Sequence, residues 1–394
     1  MVRRNSISRT KPLDSPSAKP ERRYDIDWLR LMAVFLLFFF HSARIFDPSK
    51  NFYVRNNQLS YAIYDIVIKS LEPWHMSLFF LLAGASTYYA LRYRSGGQYV
   101  TERIKRLLVP FVFGVLVLIP PQSYLGLLNH SDSSKSFFTW FPHFFTVQGE
   151  DPDGYFLGGH TWGHLWFIIH LLIYSLIALP LFLYLSRESG RRLTSKLAAV
   201  FAHPIVLLFL IPLILARLGD FPDILGGNPL FYIAFFIFGY VLMSNPSFGE
   251  TIDRRRTVLL FLGPVVFIGL LAVYSAKSWN VGLPGQINDI VDIYWNGFVP
   301  WFVILTLLAY GKRLLNFTNR YLTYLAEASY PLYILHQTLI VIIGYYVVQA
   351  DIAVAAKFVV IVTCAIASTL LAYDVLVKRN KITRFLFGMK PKSK

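Results

Sequence analysis

Asp27-Trp28-Leu29-Arg30-Leu31-Met32-Ala33-Val34-Phe35-Leu36-Leu37-Phe38-Phe39-Phe40-His41 is the stretch that decides the fold. Every one of the ten residues between Arg30 and His41 is apolar, so the segment reads as a membrane helix with a charge near its start and an imidazole within it. At 100° per residue, eleven steps return to about 20° from the starting direction and rise roughly 16 to 17 Å. Arg30 and His41 therefore share one face. Arg30 could simply snorkel to the headgroups, and His41 could be satisfied by a neighbouring helix. Ionisable groups inside a span are costly, however, and commonly line a pathway or a reaction site, which makes the pair the first candidate site.

The rest of the chain has the same character. Of 394 residues, 55% are hydrophobic and 17% aromatic, too apolar for a soluble surface to cover. The net charge of +16 is scattered in short clusters between apolar runs, where it sets topology rather than forming a basic face for nucleic acid. The one cysteine, Cys364, lies in an apolar run, which leaves no disulfide framework, CxxC metal site or redox dithiol.

Residues 1–23 read as a disordered basic cytoplasmic tail and not a signal peptide, because a full-length span follows them. Ten spans are expected across residues 24–378: about Trp28 to Phe46, Pro73 to Leu91, Leu107 to Leu128, Trp162 to Leu185, Leu197 to Ala216, Pro229 to Met243, Thr257 to Tyr274, Ile290 to Tyr310, Ser329 to Val348 and Ala353 to Val377. Basic clusters at Arg92 to Arg106, Arg187 to Lys196, Arg254 to Arg256 and Lys312 to Arg320 fall in alternate connections. Positive charge thus marks one side, and both termini, including a second basic tail at 379–394, are expected in the cytoplasm. The fold class is an all-α polytopic membrane bundle. Pro120 and Pro121 should kink or end the third span. The long outer loop, Asn129 to Thr161, carries acidic residues with Trp140, Phe141, Phe144, Phe145 and Tyr155, a composition suited to sugar rings or to the bilayer surface.

Several short motifs carry possible chemistry. His160 and His164 are four apart and could clamp a metal, but no third ligand accompanies them and an aromatic belt with polar tips is the favoured reading. No metal site is assigned. Arg103 and Arg106, three apart at the inner headgroup level, suit phosphate oxygens through their guanidinium forks. Ser329-Tyr330-Pro331-Leu332-Tyr333-Ile334-Leu335-His336 opens a helix with Pro in its first turn. Tyr333 and His336 then form a polar stripe, which alone could be an interhelical hydrogen-bond seam. No GxGxxG, Walker loop, GxSxG or HExxH is present.

Taken together, Arg30-x10-His41, Arg103-x2-Arg106, the run Trp74 to Gly84, His164-Leu165-Trp166-Phe167 and Ser329 to His336 resemble the acyltransferase 3 family. The resemblance covers about Tyr24 to Val377 and looks most like the glucans biosynthesis protein C branch. Ser77 and Ala83 depart from the residues many relatives carry there. The resemblance implies a membrane O-acyltransferase that moves an acyl group, commonly acetyl or succinyl, from cytoplasmic acyl-CoA to a hydroxyl of a glycan, lipid or small molecule. It implies His41 as the catalytic histidine, Arg30 as its partner in donor positioning, and Arg103 and Arg106 as contacts to the coenzyme A phosphates. Trp166, Tyr333 and His336 join the expected substrate-binding set. Acyl-CoA is then a co-substrate with no resident cofactor, and the location is a cell membrane.

The physics of the residues is compatible with this. A neutral imidazole can accept the proton of a hydroxyl that is a poor nucleophile by itself. Glu72 is one candidate to orient the ring. A polytopic organic-anion transporter would also place basic residues at an inner mouth and a histidine in the bundle, although the sequence shows no internal repeat.

Overall fold

The computed structural model describes residues 22–48, 52–131, 133–149, 158–269, 271 and 292–390. Helices dominate it. Helix α1 (Tyr24–Arg44) is followed by α2 (Tyr61–Leu91), α3 (Gly96–His130), α4 (Gly163–Ile177) and α5 (Leu179–Leu185). Then come α6 (Glu188–Phe201), α7 (Val206–Gly219), α8 (Pro229–Ser244), α9 (Pro246–Arg254) and α10 (Arg256–Gly269). The chain closes with α11 (Tyr294–Leu314), α12 (Arg320–Val347), α13 (Val354–Val377) and the short α14 (Lys381–Leu386). Among the described residues six helices are long and apolar enough to cross a membrane, or nine if each bent pair is one span. The expected first tail, residues 1–23, falls almost wholly outside the described residues. So do residues 270 and 272–274 at the end of the expected seventh span, most of which is α10.

Two expected spans, the fourth and the fifth, are broken, and a third bend follows directly on the expected sixth span. Helices α4 and α5 bend by 50° at Pro180, α6 and α7 by 88°, and α8 and α9 by 100°. The two sharper bends have a common cause. Pro204 and Pro246 cannot donate to the ladder, and the segments beside them, α6 and α9, carry their apolar residues on one stripe rather than all round. These two helices pack against each other through Phe201 and Phe248, whose rings lie 5.1 Å apart.

The prolines at 120 and 121 do not end α3, which runs for 35 residues. A wide π-helical turn over Gly114–Leu118 immediately precedes them. Such a turn carries one extra residue, which makes room for the ring that would otherwise strike the preceding turn. The same arrangement recurs at Ile104–Leu108 before Pro110, at Val206–Leu210 before Pro212 and at Tyr294–Phe298 before Pro300. Side chains then satisfy loosened carbonyls, as membrane interiors require. The Leu118 carbonyl accepts from Gln122 Nε2 at 3.0 Å and from Thr338 Oγ1 at 3.1 Å.

Helices α2 and α8 approach most closely, because each presents a glycine to the other's backbone. Gly84 faces the Phe236 carbonyl and Gly239 the Leu81 carbonyl, the small-residue packing expected where lipid gives no hydrophobic drive. A side chain at either position must push the helices apart. We expect Gly84→Leu to lower stability by about 3 kcal/mol, read as a lower unfolding midpoint in detergent. Gly97→Ala, with nothing within 4 Å of the added methyl, should leave the midpoint unchanged.

The loop between α3 and α4 builds its own small core. Trp140 and Phe144 are buried there, with Trp140 against Tyr124 and Phe137 at 5.3 and 5.7 Å. They are therefore not the free stacking surfaces that composition suggested, whereas Phe138 and Phe145 are exposed. Asp132, Glu150, Asp151, Asp153 and Tyr155 lie outside the described residues.

Candidate active site

At one end of the bundle, α1, α3 and the turn that joins α2 to α3 bring four arginines together. Arg30 Nη2 donates to Ser86 Oγ at 2.7 Å, and Nη1 to Asp27 Oδ1 at 3.2 Å. One residue further along α2, Thr87 Oγ1 accepts from Arg103 Nη2 at 2.8 Å and contacts the Tyr99 hydroxyl at 3.1 Å. The Arg103 guanidinium also lies over the Tyr99 ring, 4.8 Å from its centre. Glu102 is shared by Arg94 at 2.6 Å and Arg106 at 3.1 Å. Arg103 is within electrostatic reach of both Arg30 and Arg106. With Asp27 and Glu102 the only carboxylates in these contacts, positive charge is in surplus. The side chains of Arg30 and Arg106 remain 32% and 35% exposed, so their unused donors can reach an anion. Tyr330, the second residue of the motif that begins at Ser329, faces Arg103 and Arg106 with a buried, unpartnered hydroxyl.

His41 stands toward the other end, three residues before α1 stops at Arg44. It lines a cavity of about 770 Å³. The lining comes from the end of α1, the start of α4, one position of α12 and the loops beside them. Phe52, Tyr53, Trp162 and Trp166 supply aromatic faces, while Gln148, Thr161 and Gln337 supply polar groups. Arg44 also reaches the cavity and pairs with the buried Asp47. Behind His41 stand two further imidazoles, with ring centres 5.1 Å apart for His41 and His336 and 4.9 Å for His336 and His164. Among the described residues, no three His, Cys, Asp or Glu side chains are grouped to hold a metal ion.

Each of the two supporting rings is tied to a carbonyl. His164 Nε2 bonds to the Ile334 carbonyl at 3.0 Å, and His336 Nδ1 to the Tyr333 carbonyl at 2.5 Å. The Tyr333 hydroxyl donates to the His164 carbonyl, so it ties α12 to the start of α4. A fourth ring, His75, bonds through Nε2 to the Ala33 carbonyl at 2.8 Å and holds α2 against α1.

The structure thus brings His41 and His336 together, with the Tyr333 ring 5.8 Å from that of His336, and groups Arg30, Arg103 and Arg106 separately at the opposite end. Trp166 lies across the cavity wall, its ring packed on Gly226 and Gly227. His160 and His164 do not share a helix face, because Gly163 between them takes a positive φ of 48° and the helix begins only there. Glu72 is exposed in the turn before His75 and is not among the cavity-lining residues, so it does not orient His41. Sequence reading missed Ser86, Thr87, Tyr330 and the Gln122–Gln337 pair, linked at 3.0 Å. Their signal was present as polar residues inside apolar runs, each of which needs a partner in a membrane interior.

Residues 23–377 match the family model Acyl_transf_3, described as an acyltransferase domain. Proteins named glucans biosynthesis protein C from Salmonella schwarzengrund, Salmonella paratyphi A and Salmonella typhi are each 20% identical over 392 residues, covering 95% of this chain and 97% of theirs. No solved structure gives a significant match. With the family model spanning nearly all of the helical bundle, the chain belongs to the acyltransferase 3 family of membrane acyltransferases.

Proposed function

We propose that this protein is an acyl-CoA-dependent O-acyltransferase of a cell membrane, moving an acetyl or succinyl group from the cytoplasmic side to a glycan hydroxyl on the outer side. The observation that carries this reading is the placement of His41 between an arginine cluster at one end of α1 and an open cavity at the other. Coenzyme A has an anionic head and a long thin arm. Arg30, Arg103 and Arg106 hold the head at the inner surface, with both termini on that same side. The arm then spans roughly 16 Å to bring the thioester carbonyl beside His41.

In the reaction, His41 takes the proton of the acceptor hydroxyl as its oxygen attacks the thioester carbon. The carbon–sulfur bond breaks, and the departing thiolate receives that proton from His41. No net proton is consumed. A glycan is favoured as acceptor because the cavity combines aromatic faces with amide and hydroxyl groups, the pairing that suits the two sides of a sugar ring. The relatives named for glucan biosynthesis point the same way.

Membrane vesicles of defined sidedness test this reading. Acetyl-CoA or succinyl-CoA, which does not cross the bilayer, should yield free CoA thiol when added to inverted vesicles and none when added to right-side-out vesicles. Equal rates from both would overturn the sidedness, and no thiol from inverted vesicles that contain envelope glycan would remove the enzyme assignment.

A further inference from the structure

We propose that His336 is a positioning residue that holds His41 as its Nδ1–H tautomer and so leaves the Nε2 lone pair of His41 facing the cavity. The role of this pairing in catalysis rests on the reading of His41 as the base, but the tautomer itself does not.

The ring nitrogens that already have partners decide where the hydrogens sit. A carbonyl oxygen only accepts, so a ring nitrogen bonded to one must carry hydrogen. His336 therefore carries its hydrogen on Nδ1, against the Tyr333 carbonyl, and His164 carries its hydrogen on Nε2, against the Ile334 carbonyl. When both rings are neutral, the remaining nitrogens, His336 Nε2 and His164 Nδ1, are lone-pair acceptors. Both are buried and have no hydrogen-bond partner. Two acceptors cannot satisfy each other, although their rings are only 4.9 Å apart between centres.

The third buried and unpartnered ring nitrogen of the group is His41 Nδ1. Its ring is centred 5.1 Å from that of His336, close enough for a small rotation to bring Nδ1 to Nε2. Among the three rings, only His41 still has a hydrogen to place. Among the described residues no carboxylate lines the cavity, and the one charged side chain among them, Arg44, already has Asp47 as partner, so a set of neutral rings is the charge state that fits. Putting the His41 hydrogen on Nδ1 satisfies two buried nitrogens at once. It also assigns the lone pair to Nε2, the nitrogen left on the cavity side.

The pairing has a chemical consequence. When His41 takes up the hydroxyl proton, its Nδ1–H bond to His336 becomes charge-assisted and shortens. His336 thereby supports the charged ring in the transition state more than in the ground state, which places its effect on kcat rather than on donor binding. The Tyr333 and Ile334 carbonyls, both on α12, fix the two rings behind His41, so the arrangement is built into one helix rather than into a mobile loop.

Nitrogen-15 spectra of the histidine-labelled full chain in nanodiscs test the proposal without any acyl donor. His41 signals are assigned by their loss in His41→Gln. In the native protein they should show a protonated Nδ1 and an unprotonated Nε2. In His336→Leu the pattern should change to the opposite tautomer or a mixture, and kcat should fall about tenfold or more, with KM for acyl-CoA little changed. His336→Gln, whose amide oxygen can accept from Nδ1–H, should recover a good part of both. An Nε2–H tautomer in the native protein, or the native spectrum retained in folded His336→Leu, would overturn the proposal. Should His336→Leu not fold, the native spectrum and the His336→Gln kinetics still decide it. Loss of thiol release from vesicles, by contrast, would count against the enzyme reading alone.

Discussion

His41→Gln should lower acyl transfer by at least about 10²-fold while acyl-CoA still binds. Gln matches His in approximate size and keeps a hydrogen-bonding group, but it cannot take up a proton near neutral pH. The separation of the sites makes the second half of the expectation as strong as the first. In the proposed arrangement donor phosphates sit at Arg103 and Arg106, grouped with Arg30, which lies roughly 16 Å along α1 from the imidazole, and none of the arginine contacts passes through His41. A histidine kept for packing predicts the reverse, with Gln close to the native rate and Ala impaired through folding. Thiol release and calorimetric CoA binding on the same preparations separate the two. Near-native turnover by folded His41→Gln would end its assignment as the base.

The second large effect belongs to the arginine cluster. Arg103→Ala with Arg106→Ala should weaken acyl-CoA binding by about 1.5 to 3 kcal/mol for each charge-assisted hydrogen bond removed, which is tenfold or more per residue. Thr87, Tyr99 and Glu102 are each deprived of a partner in the double variant, so its unfolding midpoint must be measured beside its affinity. Replacing both by Lys keeps the charge but removes the fork, and should restore binding only partly. Undiminished CoA affinity in the Ala variant would reduce the two residues to anchors of topology.

How much of this was legible in the sequence follows from where the helices are regular. The Arg30 to His41 spacing could be read as one face because α1 is a plain α-helix from Tyr24 to Arg44. The distribution of basic residues marked the ends of the helices because charge in short loops reports directly on membrane side. The expected fifth span, Leu197 to Ala216, was misread for a physical reason. Leu193, Leu197 and Val200 are apolar and exposed, so they prolong the hydropathic signal of α7 although they belong to α6, which turns off by 88°. Contacts between distant segments were not legible at all. Nothing in the local pattern links Arg30 to Ser86, 56 residues away, or sets His164 behind His336, 172 residues later. The same holds for Glu72, whose charge made it a candidate partner for His41 until the turn at its position pointed it outward.

The wide turns in α3 act as phase shifters. Each adds one residue to the helix without adding a step around its axis, and so turns everything beyond it by about 100° relative to a regular helix. Arg103 and Gln122 lie on either side of two such turns, Ile104–Leu108 and Gly114–Leu118, so their relative bearing differs by about 200° from what even periodicity would give. A straight helix of this length presents one stripe to one neighbour. With two phase shifts, α3 instead addresses its first arginine to Thr87 on α2 and its later amide to Thr338 on α12. One rod thereby joins the helix that meets the arginine cluster to the helix that carries His336.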